Sequence, residues 1–244
     1  MPRQAAGPPG AVAAEGSDGT SPVKRVRVDM HTHCEASKDS RTPIAVQAAR
    51  IRETGMHVVC ATDHDTIAGA LRLREIADGY RVVVGEEISS ADGDLIGLFI
   101  ERPVPPGLSG EETIARIHDQ GGVVSVPHPF SRNRRFRIRR AALERLVPLV
   151  DCIETFNARE AFAQDNRRAA AFAAQHAIPA ALGSDAHTPW ELGRVYLEMD
   201  DFSDAAGLLA ALRGPTVAHG SLAGPGVHLR TRYDRLAKWL SRLR

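Results

Sequence analysis

Five short segments of the chain gather histidines and acids in patterns that could bind metal ions. They are DMHTH at 29–33, TDHD at 62–65, GEE at 85–87, PHP at 127–129 and SDAH at 184–187. Each follows a run rich in apolar residues, which is typical of a buried strand. The carboxyl ends of parallel strands meet on one face of an α/β fold, so we expect these segments to converge there.

The first and last of these segments space two side chains so that both can reach one ion. Residues two apart on a strand point to the same side, so His31 and His33 can face a single metal. Asp185 and His187 repeat this spacing with a carboxylate and an imidazole, a donor set that suits zinc, manganese or iron better than calcium. Glu87 extends the strand VVVG, whereas the glutamate before it should point to the other side. Any one such pair is a weak signal, because histidines on strands are often ordinary polar surface.

Taken together, the segments predict more than one metal ion. Five carboxylates would crowd the same face, namely Asp39, Asp63, Asp65, Glu87 and Asp185. Carboxylates that close raise one another's pKa unless a cation lies between them. Histidines supply no fixed charge at neutral pH, and the ligands outnumber what one ion needs. We therefore expect two or three divalent ions, which together can generate a hydroxide and hold both oxygens of a displacement.

Strand-like runs alternate with helical stretches along most of the 244 residues, a length sufficient for one complete core. The stretch TPIAVQAARIRETG at 42–55 is an example, because it has a Thr-Pro start and a glycine stop. Alternation of this kind with short connections predicts a parallel α/β fold, either a barrel or an open sheet.

Three parts of the chain differ in composition. Residues 1–22 are rich in proline and glycine and are expected to be disordered. Residues 23–220 carry all five segments and are expected to form the hydrolase domain. Residues 221–244 form a linker and a helix with an apolar and a basic face. We expect this helix to pack on the domain, and contact with nucleic acid, a membrane or a partner is the alternative.

Composition and charge say little about partners. The net charge is +1, which argues neither for nor against a nucleic-acid ligand. No apolar run approaches the roughly 20 residues that a membrane span needs. The amino-terminal segment lacks the apolar block of a secretory signal, so we expect a cytoplasmic protein. The three cysteines form no CxxC pair and indicate no disulfide framework.

Six segments in this order resemble the motifs of the PHP family, the polymerase and histidinol phosphatase domains. They are HTHCEASKDS, ATDHD, GEEIS, VPHPF, CIETFNAR and GSDAH, and the resemblance runs from about Val23 to about Gly220. It implies a distorted barrel of about seven βα units, with a di- or trinuclear metal site that hydrolyses phosphate esters.

The resemblance also implies a role for each matching residue. The metal ligands are expected to be His31, His33, Asp39, His64, Glu87, His128, Asp185 and His187. Asp63 is expected to orient a ligand or take a proton. Asp94 stands where several relatives have a histidine, so either the third ion is lost or Asp94 supplies an oxygen ligand. His128 or His187 could protonate the leaving oxygen, and the sequence does not choose between them.

Arginines near these motifs could hold the substrate phosphate, because guanidinium groups match its oxygens. The loop FSRNRRFRIRR after PHP contains several, of which Arg132 and Arg135 are the candidates. Arg159, in ETFNAR, is a third. Glu154 and Asn157, in the same segment, are expected to brace the site.

The leading hypothesis is a metal-dependent phosphoric ester hydrolase in which a metal-bound hydroxide attacks phosphorus. Its substrate would be a small phosphomonoester, a nucleotide or the end of an oligonucleotide, including exonuclease action from the 5′ end. Two alternatives remain. One is an amidohydrolase-type metal hydrolase, and the other is a non-catalytic binding module that metal stabilises.

Overall fold

A nine-stranded mixed sheet organises the chain in a computed structural model that describes residues 24–224 and 226–241. The strands are β1 (Arg25–Thr32), β2 (Val58–Ala61), β3 (Arg81–Ser90), β4 (Gly93–Leu98), β5 (Val123–Val126), β6 (Cys152–Asn157), β7 (Ala180–Gly183), β8 (Val195–Asp200) and β9 (Val217–Gly220). The helices are α1 (Ile44–Thr54), α2 (Ala68–Glu75), α3 (Gly110–His118), α4 (Arg140–Leu146), α5 (Ala163–Gln175), α6 (Ala205–Arg213) and α7 (Gly226–Ser241). The expectation of disorder for residues 1–22 lies outside the described residues.

The strand order is β7-β6-β5-β4-β3-β2-β1-β8-β9. Four neighbouring pairs are parallel, as the sequence predicts: β1 with β2, β2 with β3, β5 with β6, and β6 with β7. The pairs that contain β4 or β8 are antiparallel, which differs from the expected all-parallel sheet. β3 and β4 are joined by a tight turn, and so short a connection can join strands only in antiparallel fashion.

The two distant strands β1 and β7 approach each other where they end, so the sheet nearly closes on itself. The backbone N–H of Asp185 donates to the carbonyl of His31 at 2.8 Å, and that of His33 donates to the carbonyl of Ala186 at 2.9 Å. These bonds lie just beyond the end of β7. The structure therefore has the distorted barrel that the resemblance implies, and the closing seam brings the first and last histidine motifs together.

The sheet is buried on both faces, which explains its apolar strands. All four residues of β2 are buried, and successive ones fall in different hydrophobic clusters. Val59 belongs to the cluster that includes residues of α1, α2 and α3, whereas Val58 belongs to the cluster that includes residues of β8 and α6. α1 ends as predicted at Gly55, whose φ of +68° a glycine adopts without strain.

The carboxyl-terminal helix α7 packs on the domain through its polar face, not through its apolar face. Five large apolar side chains of this helix point outward and are 47% to 69% exposed: Leu229, Tyr233, Leu236, Trp239 and Leu240. Asp234, in contrast, is buried. The amphipathic pattern predicts the helix, but its orientation is the reverse of the usual one.

No helix within 24–224 or 226–241 combines the length and the apolar character that crossing a bilayer requires.

Candidate metal centre

The carboxyl ends of the parallel strands carry the predicted ligands to one place. His31 and His33 lie at the end of β1, and Nε2 of one ring is 2.9 Å from Nε2 of the other. Asp185 follows β7, and its Oδ1 lies 3.4 Å from Nε2 of His33. The barrel seam fixes this geometry, since the backbones of the two segments are hydrogen-bonded to each other.

Glu87, in β3, lies at the middle of the cluster. Its Oε2 is 3.2 Å from Nε2 of His31, 3.3 Å from Nε2 of His33 and 3.2 Å from Nδ1 of His64. Its Oε1 is 3.0 Å from Nε2 of His128. One carboxylate therefore contacts four imidazoles, which is the arrangement expected of a bridging metal ligand.

Asp39 contacts two imidazoles on the far side of the cluster, those of His187 and of His64, which also contacts Glu87. Its Oδ1 lies 3.1 Å from Nε2 of His187, and its Oδ2 lies 3.5 Å from Nε2 of His64. The His187 ring also lies close to His33, with centroids 4.3 Å apart. All eight predicted ligands thus meet within one continuous cluster.

Three groups of ligand atoms are close enough to hold an ion each. Within each group the atoms lie within 4.8 Å of one another: His31 with His33 and Asp185, His33 with His64 and His187, and Glu87 with Asp94 and His128. Asp94 takes part because β4 runs antiparallel to β3, which places the start of β4 beside the carboxyl ends of the parallel strands. This placement favours Asp94 as an oxygen ligand.

Several buried polar atoms of these groups have no hydrogen-bond partner among the described residues. They include Oδ1 of Asp185, Oδ1 of Asp94 and Nδ1 of His128. A buried polar atom without a partner costs free energy, whereas a coordinated or neighbouring cation removes that cost. The residues present therefore fit divalent metal ions, and imidazole with carboxylate suits zinc, manganese or iron.

The pKa shifts of the clustered side chains show that the carboxylates attract positive charge. Burial alone would lower the pKa of His33, but the neighbouring carboxylates of Asp185 and Glu87 raise it to about 9. Burial would raise the pKa of the Asp185 carboxyl, yet Arg134 and His31 hold it well below its usual range. Protonated imidazoles thus balance the carboxylates, and a metal ion would displace those protons when it binds.

Two of the ligands have left-handed backbones. The φ of His128 is +31° and that of Asp185 is +53°. Residues other than glycine rarely adopt such values, and each costs on the order of 1–3 kcal/mol. Each residue lies two positions beyond a strand end, in the turn at the edge of the sheet that carries the ligand cluster.

Glu154 and Asn157 brace the ligands, as predicted from the segment that contains them. Oε1 of Glu154 lies 3.1 Å from Nδ1 of His31, and its Oε2 accepts a hydrogen bond from the backbone N–H of His128 at 2.7 Å. The Asn157 amide donates to Oε2 of Glu154 at 3.0 Å and to Oδ2 of Asp185 at 3.1 Å. These hydrogen bonds hold His31, His128 and Asp185 in place. Contacts of this kind orient metal-binding groups and tune their basicity.

Asp63 is buried one step away from the ligands. Its carboxylate accepts hydrogen bonds from the backbone and thiol of Cys34 and from the hydroxyl of Ser37. The Ser37 hydroxyl in turn lies 2.9 Å from Nδ1 of His33. This placement favours a positioning role for Asp63 over proton transfer at the substrate. Sequence reasoning missed Ser37, which had no signal beyond its place in the segment after the first histidine motif.

The arginines are placed differently from the sequence expectation. Arg132 points away from the cluster, because its Nε is paired with Asp165 at 3.0 Å and its guanidinium covers the Phe162 ring. Arg134 instead reaches the cluster and forms an ion pair with Oδ2 of Asp185. Arg134, and not Arg132, is therefore the arginine of this loop that contacts the ligand cluster. Arg135 lines the adjoining cavity.

Arg159 is buried beside the cluster and also lines the cavity that adjoins it. Its Nε lies 3.1 Å from Oε1 of Glu191, and its Nη1 lies 4.0 Å from Oδ1 of Asp185. Its Nη2 donates to the carbonyl of Val227 at 3.0 Å and to the Thr231 hydroxyl. Arg159 therefore also ties α7 to the metal centre.

A cavity of about 500 Å³ opens directly onto the ligands. His64, Glu87, Asp94 and His187 form part of its floor, and the arginine-rich loop and α7 form part of its walls. Its size leaves room for a small organic molecule beside the metal ions.

The buried acid Glu160 makes stability depend on pH. Burial raises its pKa to about 7, although Arg134 and a hydrogen bond from Ser131 act in the opposite direction. The folded protein therefore holds this proton more tightly than the unfolded chain. Its contribution to stability is complete at low pH and is lost as pH rises from the ordinary value near 4.5 through 7.

We expect Glu160→Gln to remove that loss. Relative to wild type, the variant should gain on the order of 3 kcal/mol of unfolding free energy between pH 5 and pH 8. Urea unfolding at both pH values, with a chelator present so that metal content stays constant, measures the gain. The exposed Glu144→Gln serves as control and should show none, and equal pH slopes for wild type and Glu160→Gln would refute the assignment.

Comparisons with known proteins agree with this fold and site. A family model described as PHP-associated, PHP_C, matches residues 163–216, the part that contains Asp185 and His187. The uncharacterized protein MJ1587 of Methanocaldococcus jannaschii is 36% identical over 146 residues, which cover 54% of this chain and 82% of that protein. The chain belongs to the PHP domain family.

Two solved structures are similar to the fold. One is a two-domain protein from Bacteroides vulgatus described as containing a predicted PHP-like metal-dependent phosphoesterase, with a TM-score of 0.67 and 16% identity over 87% of this chain and 70% of that one. The other is an amidohydrolase from Chromobacterium violaceum with bound sulfate, with a TM-score of 0.56 and 18% identity over 67% of this chain and 88% of that one. At these identities the likeness concerns the fold.

Proposed function

We propose that the protein is a metal-dependent phosphoric ester hydrolase. The observation that carries the proposal is the position of Arg134 beside the three ligand groups, in a cavity that opens onto the ligands. Guanidinium groups beside divalent ions suit a phosphoryl group, whose oxygens take both kinds of partner. The relatives described as PHP-like phosphoesterases support the same class.

The residues would divide the work as follows. His31, His33, Asp185 and Glu87 would hold ions, and Asp94 and His128 would complete a second group with Glu87. The three ligand groups described above set an upper limit of three ions. Divalent ions supply polarisation of the phosphoryl oxygens and lower the pKa of a bound water.

Arg134 would neutralise charge on the equatorial oxygens of the phosphoryl group, because it remains charged beside Asp185. Protonation of the leaving oxygen is assigned to His187, which lines the cavity, whereas His128 is buried behind Glu87. An imidazole that binds metal cannot also carry this proton. His187 therefore takes the role only where no ion binds its group.

The substrate class is best tested by a direct screen. The purified protein would be stripped with a chelator, reloaded with manganese, zinc or iron, and incubated with phosphomonoesters, nucleotides, oligonucleotides and cyclic amides. Metal-dependent phosphate release is the expected result. Amide hydrolysis without phosphate release would overturn the proposal in favour of an amidohydrolase, and metal binding with no turnover at all would favour a binding module.

Metal should also stabilise the fold. If metal binds only the folded state, a free concentration 100 times the dissociation constant adds about 2.7 kcal/mol to the unfolding free energy. We expect the thermal midpoint to rise when manganese or zinc replaces the chelator. Asp185→Asn should show a smaller rise, and an equal rise in both proteins would contradict the assigned ligands.

A further inference from the structure

Helix α7 forms one wall of the active-site cavity. His228, Thr231, Arg232 and Arg235 of this helix all line it. Nη2 of Arg235 lies 3.2 Å from Oδ2 of Asp39, so the helix contacts a metal ligand directly. The polar face of α7 therefore belongs to the site, which accounts for its inward orientation.

The cavity is larger than the reaction requires. A phosphoryl group fills roughly the space of two or three water molecules, at about 30 Å³ each. The cavity measures about 500 Å³, so most of it is left for the rest of the substrate. The side chains of this remaining space should therefore match the chemistry of the leaving portion.

Two arginines that line the cavity lack ion-pair partners among residues 24–224 and 226–241. They are Arg135, in the loop between β5 and α4, and Arg232, in α7. The other arginines that line the cavity each face a carboxylate: Arg134 with Asp185, Arg159 with Glu191 and Arg235 with Asp39. Arg135 and Arg232 thus retain their full capacity to bind an anion.

His228 adds a third polar group on the same wall. Its Nε2 lies 3.5 Å from the Asn133 amide nitrogen, and Asn133 also lines the cavity. The two unpaired arginines come from separate elements, and the His228 imidazole and the Asn133 amide line the same cavity. Such a lining suits an anionic group. No carboxylate of the described chain competes with such a group for Arg135 or Arg232.

We propose that Arg135 and Arg232, with His228, form a second anion site, so that the preferred substrate carries a negatively charged group in addition to the phosphate that is cleaved. This inference deepens the proposed function and rests on it. It assigns to α7 the selection of the substrate, while the ligand cluster and Arg134 act on the phosphate that is cleaved.

A chain-length series tests the proposal with simple probes. The metal-loaded protein would be given α,ω-alkanediol monophosphates and bisphosphates with spacers of two to eight carbons. At the best spacer length, kcat/KM for the bisphosphate should exceed that for the monophosphate about tenfold or more. Its two equivalent ends alone would give a ratio of two. Arg232→Gln should reduce this ratio towards two while leaving the monophosphate rate unchanged, and Arg135→Gln should reduce the ratio as well.

Arg167→Gln provides the matched control, because it removes the same charge from an exposed position on α5. It should preserve the ratio. A ratio near two in the wild type at every spacer length would overturn the second anion site, as would an undiminished ratio in both cavity variants.

Calorimetric binding of the same bisphosphates separates the two proposals. If no phosphate is released from any probe, the proposed function fails. The second anion site then stands only if wild type binds the bisphosphate about tenfold more tightly than Arg232→Gln does. Equal affinities would refute it as well.

Discussion

Replacing Asp185 with asparagine is expected to lower metal-dependent phosphate release more than about 100-fold while the fold is kept. The residue is buried, and its Oδ1 lies 3.4 Å from Nε2 of His33 without a hydrogen-bond partner among the described residues. A neutral amide removes the charge that attracts the ion. Loss of partners that only support ligands costs about 10–100-fold in affinity or activity, and loss of a ligand should exceed that.

Asparagine is the appropriate replacement because the backbone of residue 185 is left-handed, with φ of +53°. Asparagine tolerates this conformation better than most residues. The measurements are the initial rate of phosphate release with manganese and the metal content by elemental analysis, with circular dichroism as a check of the fold.

Asp165→Asn is the matched control for this substitution. Asp165 is also a buried carboxylate, but it pairs with Arg132 away from the ligand cluster. Its variant should retain both metal and rate. If Asp185→Asn kept the wild-type metal content and rate, Asp185 would not be a ligand.

Adding one methyl group at Gly183 should disrupt the centre as strongly as the loss of a supporting residue. A Cβ at this position would lie 2.2 Å from Oε1 of Glu154 and 2.4 Å from Cβ of His31. Neither distance is possible, so Glu154 must leave Nδ1 of His31. We expect Gly183→Ala to destabilise the fold by about 1–3 kcal/mol and to weaken metal binding about 10–100-fold.

Urea unfolding and metal titration measure these two effects separately. Gly214→Ala is the control, because its Cβ would make only an ordinary contact, 3.4 Å from the carbonyl of Ala211. Wild-type metal affinity in Gly183→Ala would show that the close approach of β7 to His31 does not matter for binding.

Most members of the candidate ligand cluster could be identified from sequence because their spacing is local, whereas Asp39 was identified only through the family resemblance. His31 and His33 lie on one side of a strand by their spacing alone, and Asp185 with His187 repeats that spacing. Their convergence follows from the rule that parallel strands end on the same face. Neither inference required knowledge of the strand order.

The arginines of the cavity could be predicted only in part, because the loop that holds most of them has no periodic structure: Arg135 lines the cavity as a predicted candidate, whereas Arg134 was missed. Nothing in FSRNRRFRIRR distinguishes Arg132 from Arg134. The choice depends on Asp165, a residue of α5 that pairs with Arg132 in three dimensions. The position of Asp94 likewise required the antiparallel direction of β4.

The orientation of α7 could not be predicted from its sequence for a different reason. The spacing of Leu229, Tyr233, Leu236 and Leu240 predicts a helix, and the usual assumption turns such a face towards the core. Here the polar face is held by Arg159 and Asp39 instead. Periodicity determines that a helix forms, but only its partners determine which side is covered.

The left-handed backbones of His128 and Asp185 bear on any attempt to make this protein more resistant to heat. With metal removed, glycine at 128 or asparagine at 185 should relieve backbone strain and raise the melting temperature. Each change would also remove a proposed ligand and with it part of the stabilisation that bound metal supplies. Variants selected for thermal tolerance in a chelator should therefore accumulate substitutions at 128 and 185 and lose turnover, so that screening must be done with metal present and must score both properties together.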